Sequence, residues 1–336
     1  MKTILVTGGA GFIGSNFVCH FLEGNPDTRI INLDKLTYAG SLDNLRELEG
    51  DERHIFVEGD ICDKALLTSI FKEYEIEGVI HFAAESHVDN SIDNPDAFIK
   101  TNINGTYTLL EVAKKFWMST PFQYISGKED SRFHHISTDE VYGSLGAKGY
   151  FSEATSYAPN SPYSASKASS DFLVRSYFHT YGLNVVTTNC TNNYGPKQHD
   201  EKLIPTVIRK ALAGENIPIY GDGKNVRDWL FVKDHCKALE TVYKKGKLGE
   251  TYIIGGNNEL NNIDLAIQIC NVLDEVNPTE KSYRSQISFV KDRPGHDFRY
   301  AVSINKISNE LGWTPSEDFS RCLKETVQWY LKKYSV

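Results

Sequence analysis

The 336-residue chain lacks the features that mark several classes of protein. Its six cysteines lie far apart with no C-x-x-C pair, which excludes a zinc cassette or a compact disulfide framework and predicts mostly buried thiols. No run approaches the ~18 apolar residues that a membrane span requires, and no leader of the charged, apolar, small-residue type is present. No internal repeat or low-complexity segment occurs. We therefore expect a cytoplasmic protein with no membrane partner.

A basic surface is also missing, because 36 Lys and Arg residues stand against 44 Asp and Glu residues. Nucleic-acid binding normally requires a basic face, so the net charge of −8 argues against a nucleic-acid partner. An anionic ligand must then be held by a few local cations. With 40% hydrophobic residues, the chain is long enough for a substantial core or two lobes.

The first 34 residues contain a strand, a glycine-rich turn and a helical pattern. After the apolar run KTILVT, Gly8 permits a sharp turn, Gly11 permits close approach of a pyrophosphate, and Gly14 permits the helix to pack on the strand. A second run, RIINLD, ends in Asp34, whose carboxylate can accept both ribose hydroxyls of an adenosine. This pattern predicts NAD rather than NADP. The positive charge of the neighbouring Lys35, which would favour the 2′-phosphate of NADP, is a weak argument against this prediction.

Strands and helices continue to alternate along the chain. Further apolar runs end at Asp60, Ala84 and Thr138 and near Asn192, with helical patterns between them. This rhythm predicts an α/β fold with a Rossmann-like, doubly wound parallel sheet that binds ligands at the carboxyl ends of its strands. After about residue 190 turn-forming residues become frequent, which predicts a smaller, loop-rich C-terminal lobe.

A pair of residues suited to proton transfer lies on a helix predicted to open after Pro162. Tyr163 and Lys167 are four residues apart, so their side chains share one helix face. A cationic lysine, together with the positive nicotinamide of NAD, stabilises phenolate, which predicts that the pKa of Tyr163 is lowered from its usual value of about 10. This spacing alone also occurs on plain surface helices. Thr138, at the end of the preceding strand, adds a hydroxyl for a substrate oxygen and favours a catalytic site.

Two adjacent carboxyls, Asp139 and Glu140, follow that threonine in the stretch HHISTDEVYGS. Such a pair is commonly a solvated turn or a helix start. Beside a catalytic tyrosine, it can instead provide an acid and a base whose environments push their pKa values apart.

The segments TGGAGFIG, STDEVYG, YSASK and NNYGP together resemble the extended short-chain dehydrogenase/reductase family. Within that family, LDKLTYAGSLDNL, AAESHVDNSI, EKLIP, YGDGKNVRDWLFVKDH and RPGHDFRYA are similar to the dTDP-glucose 4,6-dehydratases. The resemblance implies an NAD-dependent hydro-lyase that converts dTDP-glucose to dTDP-4-keto-6-deoxyglucose and water, in deoxysugar biosynthesis of the dTDP-rhamnose type. Sister enzymes that epimerise C4 have small neutral residues in place of the two carboxyls.

The resemblance implies a division of labour. Tyr163 takes the C4 hydroxyl proton as hydride passes to NAD, Glu140 removes the C5 proton, and protonated Asp139 donates to the departing C6 hydroxyl. Hydride then returns to C6 and a proton to C5. The implied catalytic residues are Thr138, Asp139, Glu140, Tyr163 and Lys167. No metal is implied.

The family's binding residues carry over to matching positions. Those implied around NAD are Gly8, Gly11, Phe12, Ile13, Gly14, Asp34, Lys35, Leu36, Thr37, Asp60, Ile61, Phe82, Ala83, Ala84, Ser86, Thr101, Tyr163, Lys167 and Asn193. Those implied around the nucleotide sugar are Ser86, Thr138, Asn192, Lys202, Leu203, Pro218, Ile219, Tyr220, Arg227, Asn262, Asp292, Arg293, Pro294, Gly295 and His296. Arginine suits the diphosphate because it pairs with phosphate oxygens in a bidentate manner.

The predicted NAD-binding domain covers residues 1–190 with a return segment at about 227–255. Residues 191–226 and 256–336 form the predicted nucleotide-sugar lobe. The helices within GTYTLLEVAKKFW and SKASSDFLVRSYFHTYG are too apolar for full solvation, and the family pairs them across a two-fold axis, which predicts a homodimer.

Other functions stay open on the sequence alone. Dehydratases of UDP- or CDP-glucose share the chemistry, and the sequence does not explain how thymine is chosen. A nucleotide-sugar epimerase or decarboxylase and a non-catalytic NAD-binding regulator are the remaining alternatives. Asn90 and Phe298 stand where the family often has a basic residue, which bears on anion binding rather than on catalysis.

Overall fold

The computed structural model describes residues 1–292 and 297–334. The strands are β1 (Lys2–Thr7), β2 (Thr28–Asp34), β3 (His54–Glu58), β4 (Gly78–His81), β5 (Met118–Thr120), β6 (Gln123–Tyr124), β7 (Arg132–Thr138), β8 (Val185–Cys190), β9 (Asn192–Tyr194), β10 (Ile217–Tyr220), β11 (Val226–Phe231), β12 (Thr251–Ile254), β13 (Glu259–Asn261) and β14 (Ile287–Val290).

The α-helices are α1 (Phe12–Gly24), α2 (Lys64–Tyr74), α3 (Val88–Asp93), α4 (Pro95–Phe98), α5 (Thr106–Trp117), α6 (Pro162–Tyr181), α7 (Leu203–Leu212), α8 (Val232–Lys245), α9 (Asn262–Val276), α10 (Asn305–Leu311) and α11 (Phe319–Tyr334). Short 3₁₀ helices cover Leu42–Leu48, Asp139–Tyr142 and Tyr283–Gln286, and a π-helix covers Ile99–Gly105. Within the described residues, no helix is long and apolar enough to cross a membrane.

Seven strands form one parallel sheet in the order β12–β8–β7–β4–β1–β2–β3. The predicted doubly wound parallel sheet is therefore confirmed. The direction of sheet growth reverses between β1 and β4, and ligands of such sheets bind at the carboxyl ends of the strands beside this point. β2 and β7 end at Asp34 and Thr138, as predicted. β3 and β4 end two or three residues before the predicted Asp60 and Ala84, because those residues leave the sheet to line a cavity.

Helices cover both faces of this sheet. α1 packs against α8 on one face, whereas α2 and α6 pack against α5 on the other. Successive residues of β1 belong to different cores: Ile4 lies in the cluster with Phe17, and Leu5 in the cluster with Trp117. Because a parallel sheet is buried on both faces, its strands are apolar throughout rather than alternating.

The position of α6 is set by its first and last residues. The Ser161 hydroxyl accepts the Ser164 N–H, Pro162 occupies the first helical turn, and Gly182 ends the helix with a φ of 74°. These signals fix which residues of α6 face the sheet. Tyr163, Lys167 and seven other residues of this helix are consequently buried, and α6 packs against β7 and β8.

The C-terminal part adds smaller sheets and a helical layer. β10 pairs with β14, and β11 lies between β13 and β9. α7, α9 and α11 pack on one another around a core that includes Tyr194, Trp229 and Tyr330. This part holds more helix than its turn-rich sequence indicates. The chain returns to the main sheet through β12, which pairs with β8. β11 lies in the predicted return segment but pairs outside the main sheet; the division into domains stays a prediction.

Candidate active site

A cavity lies at the carboxyl ends of the central strands, where the predicted site residues converge. All five predicted catalytic residues line it, and so does every predicted cofactor residue except Leu36. The Leu36 N–H donates to Asp34 Oδ1 at 2.9 Å, and its backbone has a φ of 52°, so this residue continues the turn after β2.

The three glycines after β1 differ in what surrounds them. A Cβ atom at Gly8 would lie 2.6 Å from the Ala83 nitrogen, and one at Gly14 would lie 2.2 Å from the Gly8 carbonyl oxygen. A Cβ atom at Gly11 would approach only that carbonyl, at 3.3 Å. Gly8 and Gly14 are thus required by the fold, whereas a Cβ atom at Gly11, at the N-terminus of α1, would make one tight contact. No described side chain caps this N-terminus, which suits the pyrophosphate of a dinucleotide.

The end of β2 provides the acid expected at the adenosine ribose. Asp34 Oδ2 accepts the Ala10 N–H at 2.9 Å, so the carboxylate lies directly beside the glycine-rich turn. Lys35 Nζ contacts Asp60 Oδ2 at 2.8 Å, and this hydrogen bond raises the pKa of Lys35. Because Lys35 is engaged by Asp60 and a 2′-phosphate would meet the Asp34 carboxylate, the residues fit NAD.

A short 3₁₀ helix directs the two adjacent carboxyls. Thr138 ends β7, and its Oγ1 accepts the Glu140 N–H at 3.3 Å and donates to Asp139 Oδ1 at 3.4 Å. The resulting turn buries Asp139 to 2% exposure and leaves Glu140 half-buried. Both side chains line the cavity.

Asp139 lies in surroundings that favour its neutral form. Burial raises the pKa of this carboxyl well above its usual value, and the charges of Glu140 and Asp228 raise it further. Its Oδ2 atom has no hydrogen-bond partner among the described residues. A protonated Asp139 therefore presents a hydroxyl to the cavity, which is the state that the predicted proton donor requires. The role itself stays a prediction.

Tyr163 and Lys167 both line the cavity, and burial shifts both of their pKa values. Burial and the Glu140 charge raise the pKa of Tyr163, although a hydrogen bond with Thr138 opposes them. Lys167 Nζ donates to the Ile136 carbonyl at 2.8 Å, and burial lowers its pKa. The predicted lowering of the Tyr163 pKa requires the positive nicotinamide as well as Lys167 and stays a prediction. In the chain without cofactor, desolvation penalises the phenolate more than nearby groups stabilise it.

The predicted substrate residues form two groups. Those that line the cavity are Ser86, Thr138, Asn192 and Lys202. Those that lie outside its lining are Leu203, Pro218, Ile219, Tyr220, Arg227, Asn262 and Asp292. The predicted Arg293, Pro294, Gly295 and His296 lie outside the described residues.

Arg227 connects these two groups. Its guanidinium donates to the carbonyl oxygens of Val226 at 2.8 Å and Asp297 at 3.0 Å and stacks on the Tyr300 ring at 4.4 Å. Its positive charge also lowers the pKa of Asp139, against the larger effect of burial, which places it near the catalytic carboxyls. A diphosphate contact of this arginine stays a prediction.

The cavity also contains residues that the sequence did not predict: Leu33, Ala39, Gly40, Gly59, Glu85, Ile136, Ser137, Cys190, Thr191, Gln198, His199 and Glu201. Glu85 and Glu201 directly precede Ser86 and Lys202, so their positions beside predicted residues were a usable signal. Cys190 gave no sequence signal of a site residue, because a thiol at the end of a buried strand is typical of a core residue. Within residues 1–292 and 297–334, no cluster of His, Cys, Asp or Glu is suited to a metal ion.

Comparisons with known proteins match nearly the whole chain. The family model described as GDP-mannose 4,6 dehydratase matches residues 5–326. A dTDP-glucose 4,6-dehydratase from Xanthomonas campestris pv. campestris (strain B100) is 57% identical over 333 residues, which cover 98% of this chain and 93% of the relative.

Two solved structures of proteins with the same name have the same fold. The enzyme from Streptomyces venezuelae, with NAD bound, has a TM-score of 0.90 at 44% identity and covers 99% of this chain and 98% of its own. The enzyme from Bacillus anthracis, in complex with NAD, has a TM-score of 0.87 at 46% identity, and the match covers 100% of this chain and 98% of that enzyme's chain. The chain belongs to the dTDP-glucose 4,6-dehydratases of the extended short-chain dehydrogenase/reductase family.

Proposed function

We propose that this chain is a lyase that dehydrates dTDP-glucose to dTDP-4-keto-6-deoxyglucose with NAD as its cofactor, for deoxysugar biosynthesis of the dTDP-rhamnose type. The observation that carries the proposal is the placement of Asp139 and Glu140 with Tyr163 in the cavity that begins at the glycine-rich turn. Epimerisation at C4 needs no second acid and base. A carboxyl pair at this position therefore favours elimination.

The chemistry follows from the poor leaving group. Hydroxide leaves C6 only after C4 has become a ketone, because the ketone makes the C5 hydrogen acidic. Bound NAD supplies the hydride acceptor for C4 and the hydride donor for C6. Tyr163 takes the C4 hydroxyl proton, Glu140 takes the C5 proton, and Asp139 protonates the departing C6 hydroxyl. Once hydride has returned to C6 and a proton to C5, the net change is the loss of one water.

The buried environment divides these roles. Asp139 is suited to donate, because burial raises its pKa. Tyr163 must ionise to act as a base, although burial raises its pKa, and it therefore needs a nearby positive charge. Lys167 lies on the same face of α6 and supplies such a charge. Thr138 hydrogen-bonds to the phenol and is placed to hold the same substrate oxygen.

The binding roles follow the geometry of the cavity. Asp34 and the N-terminus of α1 are assigned to the adenosine ribose and the pyrophosphate of NAD. Lys202, whose Nζ donates to the Ser86 carbonyl at 3.5 Å, is assigned with Arg227 to the diphosphate of the substrate. Pro218, Ile219 and Tyr220 of β10 are also assigned to the substrate, which extends the proposed site into the C-terminal part.

A cytoplasmic homodimer is part of the proposal. Tyr107 of α5 and Phe172 of α6 are exposed, as are Ile92 and Ile99 in the adjoining segments. α5 and α6 pack side by side, so their outer surfaces can form one continuous patch for a second copy. All six cysteines are unpaired thiols, which agrees with a reducing compartment.

Incubation of the purified protein with dTDP-glucose, UDP-glucose and CDP-glucose tests the activity. We expect the 4-keto-6-deoxy product from dTDP-glucose, formed with much higher kcat/KM than any product of the other two. Formation of a C4 epimer, or no product from any donor, would overturn the dehydratase assignment. A preference for UDP- or CDP-glucose would retain the chemistry and change the substrate.

A further inference from the structure

Asp171 is a buried carboxyl that the proposed chemistry leaves unused. It lies on α6 four residues after Lys167, so the two side chains occupy the same helix face one turn apart. Asp171 is 5% exposed and Lys167 is 4% exposed. A buried carboxylate and a buried ammonium are each costly unless hydrogen bonds and an opposite charge compensate them.

Three donors from three different parts of the chain hold the Asp171 carboxylate. Tyr157 Oη donates to Oδ2 at 2.9 Å, and Asn189 Nδ2 donates to the same oxygen at 3.1 Å. His135 Nε2 contacts Oδ1 at 3.1 Å. Burial lowers the pKa of His135 to about 4, so the imidazole is neutral near pH 7 and hydrogen-bonds without neutralising the carboxylate.

Lys167 has a hydrogen bond but needs a counter-charge. Its Nζ donates to the carbonyl of Ile136, the residue after His135 on β7. Two successive residues of β7 therefore contact α6: the Ile136 carbonyl accepts a hydrogen bond from Lys167, and the His135 imidazole contacts Asp171. A carbonyl oxygen carries no formal charge. Burial lowers the pKa of Lys167, and the negative charge of Asp171 opposes that shift.

The other titratable groups that face these two side chains are neutral near pH 7. They are His81 on β4, His135 on β7, Cys190 on β8, Tyr142 in the 3₁₀ helix, Tyr157 in the preceding loop and Tyr163 on α6. Burial lowers the pKa values of the two imidazoles and raises those of the thiol and the phenols. Asp139 and Glu140 begin the 3₁₀ helix against which α6 packs, and the Glu140 charge acts on Tyr163 and Asp139. Asp171 is the carboxylate whose charge raises the pKa of Lys167.

We propose that Asp171 is a positioning residue for the C4 oxidation step, whose fixed negative charge keeps the buried Lys167 protonated on the face of α6 that carries Tyr163. The proposal rests on the proposed function, because the Lys167 charge affects turnover only if Tyr163 is the base. Asp171 is not among the residues that line the cavity, whereas Lys167 is, so Asp171 acts through Lys167.

The test is the pH dependence of kcat/KM for dTDP-glucose. Asp171→Asn removes the negative charge and lowers the pKa of Lys167. Lys167 therefore loses its proton at a lower pH in the variant than in the parent enzyme. We expect the basic limb of the profile to move to lower pH by about 1 to 3 units, with the acid side of the profile much less affected. Activity at the alkaline end should fall about tenfold or more.

Two control variants separate charge from structure. Asp171→Glu keeps the charge and should restore most of the basic limb. Tyr157→Phe removes one hydrogen bond to Asp171 but leaves the charge, so its profile should coincide with that of the parent even if its stability falls. An equal loss at every pH in Asp171→Asn, with both limbs unmoved, would overturn the proposal.

A measurement on the unaltered enzyme covers the case in which Asp171→Asn does not fold. In protein labelled with [ε-¹³C]lysine, the Lys167 resonance is identified by its absence from Lys167→Met and is then titrated. We expect Lys167 to be protonated at pH 7, and a neutral amine at that pH would contradict the proposal. Absence of product from the parent enzyme would reject the proposed function, whereas this titration would still decide the charge of Lys167.

Discussion

Asp139 and Glu140 are neighbouring carboxyls, and one short turn gives them different surroundings. Thr138 caps the 3₁₀ helix that begins with them, so Asp139 points into the buried edge of the cavity while Glu140 keeps part of its surface open to water. A buried acid remains protonated more easily than a hydrated one. Their difference in environment, rather than in chemical type, makes an acid and a base from two similar side chains.

The raised pKa of Asp139 predicts a stability that depends on pH. The folded protein retains a proton that the unfolded chain releases, so this stabilisation is fully present below the unfolded pKa of 3.8 and is lost as pH rises through the folded pKa. Asn keeps the shape of the neutral acid and does not titrate. Relative to the parent, Asp139→Asn should gain stability with rising pH in this window, by up to about 1.4 kcal/mol per pH unit.

Urea unfolding at a series of pH values, without cofactor, measures this difference. The gain should stop increasing once the pH exceeds the folded pKa of Asp139. A difference in the free energy of unfolding that is the same at every pH would show that the carboxyl is not protonated in the folded chain.

Replacing Glu140 by Gln should separate oxidation from elimination. The amide has nearly the same shape but cannot take the C5 proton, so the variant should accumulate bound NADH, visible by its near-ultraviolet absorbance, without releasing dehydrated product. Tyr163→Phe is the matched control. It should show no such absorbance, with a rate loss on the order of 10²- to 10⁴-fold. Product release by Glu140→Gln at the parent rate, with solvent deuterium still entering at C5, would assign the base elsewhere.

At the scale of elements, apolar runs identified the strands of the main sheet because a parallel sheet buries both faces of each strand. The C-terminal helices were harder to predict, since turn-rich segments such as YGDGKN and GGNNELNN lie between them. The π-helix at Ile99–Gly105 left no signal in the helical pattern. Its distortion accompanies Asn102, which bonds to both backbone groups of Glu85 and to Ser166, and such long-range contacts are not encoded by local spacing.

The site was predictable to different extents for a related reason. Cofactor residues cluster in short segments at the ends of strands, so the sheet topology alone brings them together. The stacking of Arg227 on Tyr300, by contrast, joins residues that are distant in sequence and belong to different elements. The effect of burial on the Tyr163 pKa was not predictable for the same reason, because helical spacing reveals a neighbouring lysine but not the extent of burial.

The glycine-rich turn predicts two different outcomes for similar substitutions. Gly14→Ala places a Cβ atom 2.2 Å from a backbone oxygen, whereas Gly11→Ala places one 3.3 Å from the Gly8 carbonyl oxygen, a tight contact that a shift of a few tenths of an ångström relieves. Gly14→Ala should therefore lower the unfolding temperature in the absence of cofactor. Gly11→Ala should fold normally but bind NAD at least tenfold more weakly, because the methyl group takes the place of a phosphate oxygen. Thermal unfolding with and without NAD separates these effects, and normal NAD affinity in Gly11→Ala would place the pyrophosphate elsewhere.

At the scale of the whole molecule, the exposed aromatic residues of α5 and α6 predict that two copies associate. Sedimentation should give twice the monomer mass of 37.9 kDa at micromolar concentration. Phe172→Asp, at a position 57% exposed, should yield monomers because it brings a charge into an apolar interface. Phe289→Asp is the control: this residue is 61% exposed on β14, away from both helices, and its substitution should leave the mass unchanged. A monomeric, active parent enzyme would contradict the dimer.

The central claim is that one cavity oxidises C4, eliminates water across C5 and C6, and returns the same hydride to C6. The measurement that tests it most directly uses dTDP-glucose labelled with deuterium at C4, turned over in ordinary water and analysed by NMR. The account predicts deuterium in the C6 methyl group of the 4-keto product and no deuterium at C5. Deuterium lost to solvent, or retained at C4 of an epimerised sugar, would contradict it.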